Sequence, residues 1–306
     1  NLYGTAVGGG EGCSNCGTVF ELSPQEGGTW SITKTYSFTG EVDGSDPQAG
    51  VALDAAGNVY GATDTSYEGS GYGSIYELTP SGNGWQETTV YRANSDLVSL
   101  NNLTLDRKGN VYGTTIYGGT NGMGYVFKFH PGKGGWKETV LHNFGDGDPG
   151  GNIHGSVVLD KAGNVYGTTA PYNGTQWTGA VFELTRPSQG KLPTQPNWPV
   201  TILYQFTGGA DGGLPYDLTF DRKGDIYGPA ATGGPSGNGT IYELTPPANN
   251  RQTLWTESTV YNFIGGNNGC GPGPGIIFDK PESMRIYGAA ASCGANGNGV
   301  IFGVKR

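Results

Sequence analysis

Charge is scarce in this chain: Asp, Glu, Lys and Arg make up only 14% of its 306 residues. Lys and Arg number 17 against 26 acids, a formal net charge of −9, and no basic cluster offsets it. That balance repels phosphate backbones and argues against nucleic acid as a partner. No run approaches the roughly 18 apolar residues of a membrane-spanning helix, so no membrane span is expected. No basic, apolar, small-residue leader opens the sequence, so any signal peptide is expected to have been removed or to lie outside these residues. Nucleophile elbows, metal triads and phosphate loops are also missing. Histidine occurs only as His130, His142 and His154.

Cysteine is rare as well, with Cys13, Cys16, Cys270 and Cys293 alone. An even count beside only two methionines favours an oxidised, secreted protein. A CxxC such as Cys13–Cys16 can instead be half of a zinc or redox site. No second CxxC exists, the three histidines are distant in sequence, and no helical pattern follows Cys16, so disulfides are expected.

Glycine is abundant, at 58 residues, and it is mixed with aromatic and β-branched residues without a collagen period. Such a mixture reads as short strands joined by many turns. Six "YG" anchors recur at Tyr3, Tyr60, Tyr112, Tyr166, Tyr227 and Tyr287, spaced 57, 52, 54, 61 and 60 apart. A period of this length signals a propeller, solenoid or array. Each unit has an apolar run ending in Asp ("VALD", "LTLD", "VVLD", "LTFD", "IIFD"), here piece a. Piece b is "VYGTT" or its variants, and piece c is "TVFEL", "SIYEL", "YVFKF", "AVFEL", "TIYEL" or "VIFGV". A Trp-led run such as "WKETVLHNF" or "WTESTVYNF" is piece d. All are strand-like in length and composition, and none shows a 3.6-residue stripe. The Asp-x-x-Gly link between a and b reads as a tight hairpin, with Asp54, Asp106, Asp160 and Asp221 as turn acceptors; Asp279 stands in the same place, but its copy, "DKPESMR", is longer and lacks Gly, so its turn must differ.

These features predict an all-β chain: one six-bladed β-propeller domain over residues 1–306, built of four-stranded antiparallel blades. The pattern "GxVxDxxGNxYGTTxxGGxxxxGTVFEL" followed by "WxExxVLYxF" resembles the GloVer tandem-repeat family of large bacterial secreted or surface-anchored proteins. The stretch "VALDAAGNVYG" is also similar to NHL-type six-bladed propellers. The resemblance covers essentially the whole chain. It implies the fold and an extracellular setting rather than a particular chemistry, although NHL-type propellers include lyases as well as binding scaffolds. Pieces b and c occur six times, and a and d five times each. The expectation is therefore ring closure at the first and last blades, with one further d and a supplied upstream of Asn1.

The b–c loops and d–a links fall at one face, where a rigid scaffold concentrates binding groups. All four cysteines fall there, and the simplest pairing is Cys270–Cys293 with Cys13–Cys16, cross-pairing between blades being the alternative. Trp177 breaks the Trp-led register and lies in a b–c loop with Tyr172. Tyr67 and Tyr72 lie in another such loop, and Tyr117 in a third. Exposed rings with polar neighbours suit stacking on sugars, and covering loop backbone is the plainer use. The links carry Asp146, Asp148 and Asp211, whose Asp-Gly pattern suits turn capping and, less simply, calcium. No other cofactor and no metal cluster is called for. His154, beside Asp146 and Asp148 in sequence, is the one histidine at this face, while His142 falls where other repeats place a packing tyrosine. The expected function is non-enzymatic binding of glycan or a surface protein. A self-associating extracellular assembly, and a propeller lyase or hydrolase acting on an extracellular metabolite or polysaccharide, are the alternatives.

Overall fold

Each repeat piece becomes a short strand. The computed structural model describes residues 1–13, 15–64, 73–92, 102–145, 148, 151, 153–170, 178–188, 197–248, 254–279 and 285–306. The first sheet runs β1 (Leu2–Ala6), β2 (Thr18–Pro24), β3 (Trp30–Ser37). The second is β4 (Ala52–Leu53), β5 (Val59–Ala62), β6 (Ser74–Ser81), β7 (Gly84–Arg92). The third is β8 (Thr104–Leu105), β9 (Val111–Thr114), β10 (Tyr125–Gly132), β11 (Gly135–Asn143). The fourth is β12 (Val158–Leu159), β13 (Val165–Thr169), β14 (Gly179–Leu184), β15 (Val200–Phe206). The fifth holds β16 (Gly213–Pro215), β17 (Thr219–Phe220), β18 (Ile226–Thr232), β19 (Thr240–Thr245) and β20 (Thr256–Asn262). The sixth is β21 (Cys270–Phe278), β22 (Arg285–Ser292), β23 (Val300–Lys305). These antiparallel sheets are the blades of a six-bladed β-propeller. A single 3₁₀ turn at Gly266–Asn268 is the only helix among the described residues.

Strand β16 has no counterpart in the repeat pattern. It pairs with the far end of β18 while β17 pairs with its near end. In the sixth sheet both segments merge into the nine-residue β21. His130 lies inside β10, because the third strand continues into the hairpin.

The chain divides into two compact units, Asn1–Leu141 and His142–Arg306. In the first, one core groups Val19, Phe38, Val59, Tyr76 and Leu78, and another groups Ile75, Leu103, Val111, Phe127 and Phe129. In the second, one core is built on Val181, Leu203, Phe206, Ile226 and Tyr242. Another is built on Tyr227, Ile241, Phe263, Ile276 and Phe302. Each fully buried large side chain contributes roughly 1.5–3 kcal/mol.

The recurring "YG" has a steric cause. In all six sheets the tip of an aromatic ring from the strand of piece c presses against the glycine of piece b. A Cβ at Gly4, Gly61, Gly113, Gly167, Gly228 or Gly288 would meet Phe20, Tyr76, Phe127, Phe182, Tyr242 or Phe302 at 2.1–2.7 Å. No side chain fits there. The tyrosine of the same dipeptide points the other way, as alternation along a strand requires. Tyr60 and Tyr227 each donate to the glutamate opposite, Glu77 and Glu243, at 2.7 Å.

The a–b hairpins close on their aspartates. Asp54 Oδ1 accepts the backbone N–H groups of Ala56 and Asn58 at 2.9 Å, and its Oδ2 accepts the Asn58 side-chain amide. Gly57, at φ 86, supplies the left-handed step. Asp106, Asp160 and Asp221 repeat the arrangement with their own turns. Residues 280–284, the last of these turns, lie outside the described residues.

Candidate functional site

Three of the d–a links are built around a carboxylate. Asp43 is buried and accepts from the Tyr36 hydroxyl at 3.0 Å and from Thr39 N–H at 2.9 Å. Asp211 accepts from the Tyr204 hydroxyl at 3.1 Å, Thr207 N–H at 2.8 Å and the Thr207 hydroxyl. Burial, reinforced by the carboxylate beside each, pushes the Tyr36 and Tyr204 hydroxyls well above the usual phenol range. In the third sheet His142 stands where the tyrosine stands elsewhere. Its Nε2 faces Asp148 Oδ2 at 3.3 Å, its Nδ1 faces the Trp198 carbonyl at 3.0 Å, and its ring packs edge-on to Phe144. Asp148 also accepts from Gly145 N–H at 3.0 Å. Both ring nitrogens of His142 are thus taken up inside the fold.

The links are then pinned to the loops. Asp46, Leu214 and Gly271 all have positive φ, of 63°, 52° and 61°. Each donates its N–H to a b–c loop carbonyl, at Cys16, Thr178 and Asn238, over 2.9–3.1 Å. The same device therefore recurs in three sheets, with glycine in only one. Cys13–Cys16 and Cys270–Cys293 are both disulfides, with Cα separations of 5.6 and 5.5 Å, so the simplest expected pairing holds. The first closes a b–c loop and the second ties the start of β21 to the end of β22.

The expected site residues fall in separate places. Asp148 and Asp211 hold turns as described. Tyr117 is 49% exposed in the loop after β9. His154 is partly buried, and burial lowers its pKa. It packs edge-on to Tyr216 with ring centroids 6.4 Å apart. Trp177, Tyr172, Tyr67, Tyr72 and Asp146 lie outside the described residues.

Sequence reasoning missed two features here. One is the His142–Asp148 pair. The signal was present, because Asp43 and Asp211 follow their tyrosines by seven residues and Asp148 follows His142 by six. The other is Asp217, next to Tyr216, whose Oδ1 accepts Ser156 N–H at 2.6 Å. Asp217 occupies the fourth position before the repeat aspartate, where Gly50, Asn102, Ser156 and Gly275 stand in other repeats. Asn102 plays the same part in the first unit, accepting Gly50 N–H through Oδ1. His154 packs on Tyr216, and Asp217, next in the chain, holds Ser156, so a histidine, a phenol and a carboxylate fall in one polar neighbourhood. Burial raises the Tyr216 phenol. Among the described residues no group of three or more His, Cys, Asp or Glu side chains is placed to share a metal ion.

Comparison with known proteins gives a family and a fold. The model of the Gloeobacter/Verrucomicrobia repeat matches residues 1–197. No curated protein sequence matches the chain. Among solved structures, the PQQ-bound aldose sugar dehydrogenase of Streptomyces coelicolor is 11% identical at TM-score 0.56, covering 94% of this chain and 87% of its own. A candidate 6-phosphogluconolactonase of Bacteroides fragilis is 14% identical at TM-score 0.57, covering 98% and 80%. A candidate glucose dehydrogenase of Thermus thermophilus is 13% identical at TM-score 0.50, covering 95% and 93%. Identities this low establish the shared fold alone.

Proposed function

The chain belongs to the Gloeobacter/Verrucomicrobia repeat family, and we propose that it acts outside the cell as a binding scaffold that engages glycan or a surface protein through its long loops. One observation carries this reading: Asp43, Asp148 and Asp211, link acids that could have served chemistry, are committed to architecture. Asp43, Asp148 and Asp211 each accept hydrogen bonds from their own turn. A loop held this firmly presents its outward residues at low entropic cost, which favours recognition. Two disulfides, one in a b–c loop and one joining a link to a b–c loop, fit the same purpose and an oxidising compartment. No helix among the described residues is long and apolar enough to cross a membrane. Tyr117, with Trp177 and its neighbours in the other loops, supplies the stacking rings. The test is a glycan-array screen of the purified chain with and without calcium, against Tyr117→Ala and Trp177→Ala. Binding that both variants retain in full removes these rings from the site, and an empty array removes the glycan reading.

A second reading, a sugar- or lactone-active enzyme, is favoured by the names of the structural neighbours. Its residues would be His154, Tyr216 and Asp217. Burial lowers the histidine's pKa and so favours its neutral, base-competent form near neutral pH. Turnover of aldoses or aldonolactones that Asp217→Asn or His154→Gln abolishes would establish it over the scaffold.

A further inference from the structure

The b–c loops of the third, fifth and sixth sheets are closed by one set of backbone bonds. Gly124, Gly239 and Gly299 donate to the carbonyls of Gly118, Gly233 and Cys293, six residues back, over 2.9–3.0 Å. Inside each, Gly122, Gly237 and Gly297 close a tight turn on Gly119, Gly234 and Gly294 at 3.0–3.4 Å. The loop between β1 and β2 departs from this. Gly17 donates to Gly9 at 3.0 Å, eight residues back, so two residues have been added. Among the described residues no backbone bond closes the segment between them. Asn15 Oδ1 accepts Gly9 N–H at 3.2 Å, and the Cys13–Cys16 disulfide spans the rest. A covalent clasp stands where the other loops use a hydrogen-bonded turn.

The d–a link of the first sheet leans on that clasp. A Cβ on Gly40 would lie 2.7 Å from Cys16 Sγ and 3.9 Å from Cys13 Sγ, and one on Gly12 would run into the Phe38 carbonyl. Asp46 N–H is bound to the Cys16 carbonyl at 3.0 Å, so the link is backed at both ends. The two sulfurs differ in access. Cys16 is 6% exposed and shares a core with Val19, Phe38 and Tyr76. Cys13 is only partly buried, and Glu11 and Gly12 before it are exposed. Cys270–Cys293 is the contrast. Its loop keeps the backbone bonds of the fifth, which has no disulfide, and Gly294 N–H also ties it to Gly266 at 2.7 Å.

We propose that Cys13–Cys16 is a redox-active disulfide, a site of exchange with external thiols that opens the first b–c loop and frees the link resting on it. A thiolate attacks Cys13 Sγ, the accessible sulfur; the S–S bond breaks and Cys16 leaves as a thiolate that takes a proton from water. A second thiol attacks the reductant's sulfur in this mixed disulfide and expels Cys13. The protein thus gains two electrons and two protons as two thiols, and the reductant becomes a disulfide. Reduced Cys16 stays among its apolar neighbours as a small hydrophobe. Cys13 has no backbone frame to hold it there, so the effective concentration of one thiol at the other falls and the loop stays open. The thiols of Cys270 and Cys293, framed by hydrogen bonds, stay side by side and close again. The proposal goes beyond the scaffold reading and does not depend on what the long loops bind.

The experiment equilibrates the whole chain across ratios of reduced to oxidised dithiothreitol, alkylates it and maps the cysteines by mass spectrometry. Cys13–Cys16 is expected to open at a ratio about tenfold or more below that for Cys270–Cys293. Glutathione quenched early in the reaction should be found on Cys13. At the ratio where only the first disulfide is open, glutamyl endopeptidase should cut after Glu11 about tenfold or more faster than in the oxidised chain. Reoxidation with diamide should restore resistance, and a Cys270→Ser/Cys293→Ser variant should repeat the result. The proposal is overturned if both disulfides open together or Cys270–Cys293 opens first, if glutathione settles on Cys16, or if cleavage after Glu11 is no faster. Far-ultraviolet circular dichroism should not change on reduction of the first disulfide; its collapse would make that bond a support of the fold and not a switch.

Discussion

Gly167→Ala is the sharpest test of how the repeat holds together. The added Cβ would lie 2.6, 3.0 and 3.3 Å from three carbons of the Phe182 ring, where ordinary contact begins near 3.4 Å. The ring has little freedom to retreat. Phe182 is fully buried, and Phe144 packs against it with centroids 5.0 Å apart. Overpacking of this kind costs about 1–3 kcal/mol. Replacing glycine in a strand recovers about 0.4–1 kcal/mol of unfolded-state entropy, so a net loss of about 1–2 kcal/mol is expected. Gly84→Ala is the control, because it is also in a strand, has ordinary φ and meets nothing within 4 Å. It should be neutral or slightly stabilising. Phe182→Leu removes ring atoms that clash, so the double variant should be less destabilised than the sum of singles by about 1 kcal/mol. Urea unfolding followed by tryptophan fluorescence, with both disulfides oxidised, reads all four. A Gly167→Ala loss below about 0.5 kcal/mol, or strict additivity with Phe182→Leu, would refute the steric account of the motif.

Three further outcomes follow from the same geometry. Replacing Cys270 and Cys293 by Ser opens a 23-residue separation and should cost about 3 kcal/mol, against about 2 for Cys13 and Cys16, measured by urea midpoints. Asp211→Asn should lose about 1.5–3 kcal/mol because it removes charged acceptors from Tyr204 and Thr207, and Tyr204→Phe should lose less; thermal unfolding that ranks them oppositely contradicts the assigned roles. Burial lowers the His154 pKa from 6.5, so the unfolded chain takes up that proton at higher pH than the folded one. Stability from this group is therefore complete above about 6.5 and declines as pH falls toward the lowered folded value; His154→Gln should flatten the urea-midpoint profile in that window.

The repeat was legible because each of its signals is local and recurs. Asp54 and Asn58 lie four residues apart and meet in one turn, so the motif and the contact are nearly the same object. The disulfides were legible because two cysteines share one loop and two flank one strand pair. The site was less so. His142 reads as a substitute for the packing tyrosines and stands in their place, but its partner Asp148 lies as near to His154 in the sequence, and only the repeat register tells which histidine it meets. Asp217 was passed over since the fourth position before the repeat aspartate varies between Gly, Asn, Ser and Asp. Leu214 at φ 52° has no sequence sign at all. Its conformation comes from the bond it makes to Thr178, which glycine makes in the next sheet from Gly271.

Tyr76 and Tyr242 mark where the repeat departs from its own optimum. Four of the six rings that lie over a "YG" glycine are phenylalanine, while these two carry a hydroxyl. Both are 0% exposed, and neither hydroxyl has a hydrogen-bond partner in the protein among the described residues. Burial pushes both phenols above their usual range, with the Asp217 charge adding to the effect at Tyr242. A buried hydroxyl without a partner costs about 1–3 kcal/mol, whereas a phenylalanine of the same shape costs nothing comparable. Tyr242→Phe should therefore raise stability by about 1 kcal/mol, and Tyr76→Phe by a similar amount, in the same urea assay. The alternative outcome is equally definite. A loss on removing the Tyr242 hydroxyl would mean that it is hydrogen-bonded, and the nearest polar neighbourhood is the start of the inner strand at Asp217. That result would tie the hydroxyl to the His154–Tyr216–Asp217 group and shift the balance from scaffold toward enzyme. A gain would leave the two tyrosines as tolerated variants of a packing position, with the group at Asp217 standing alone.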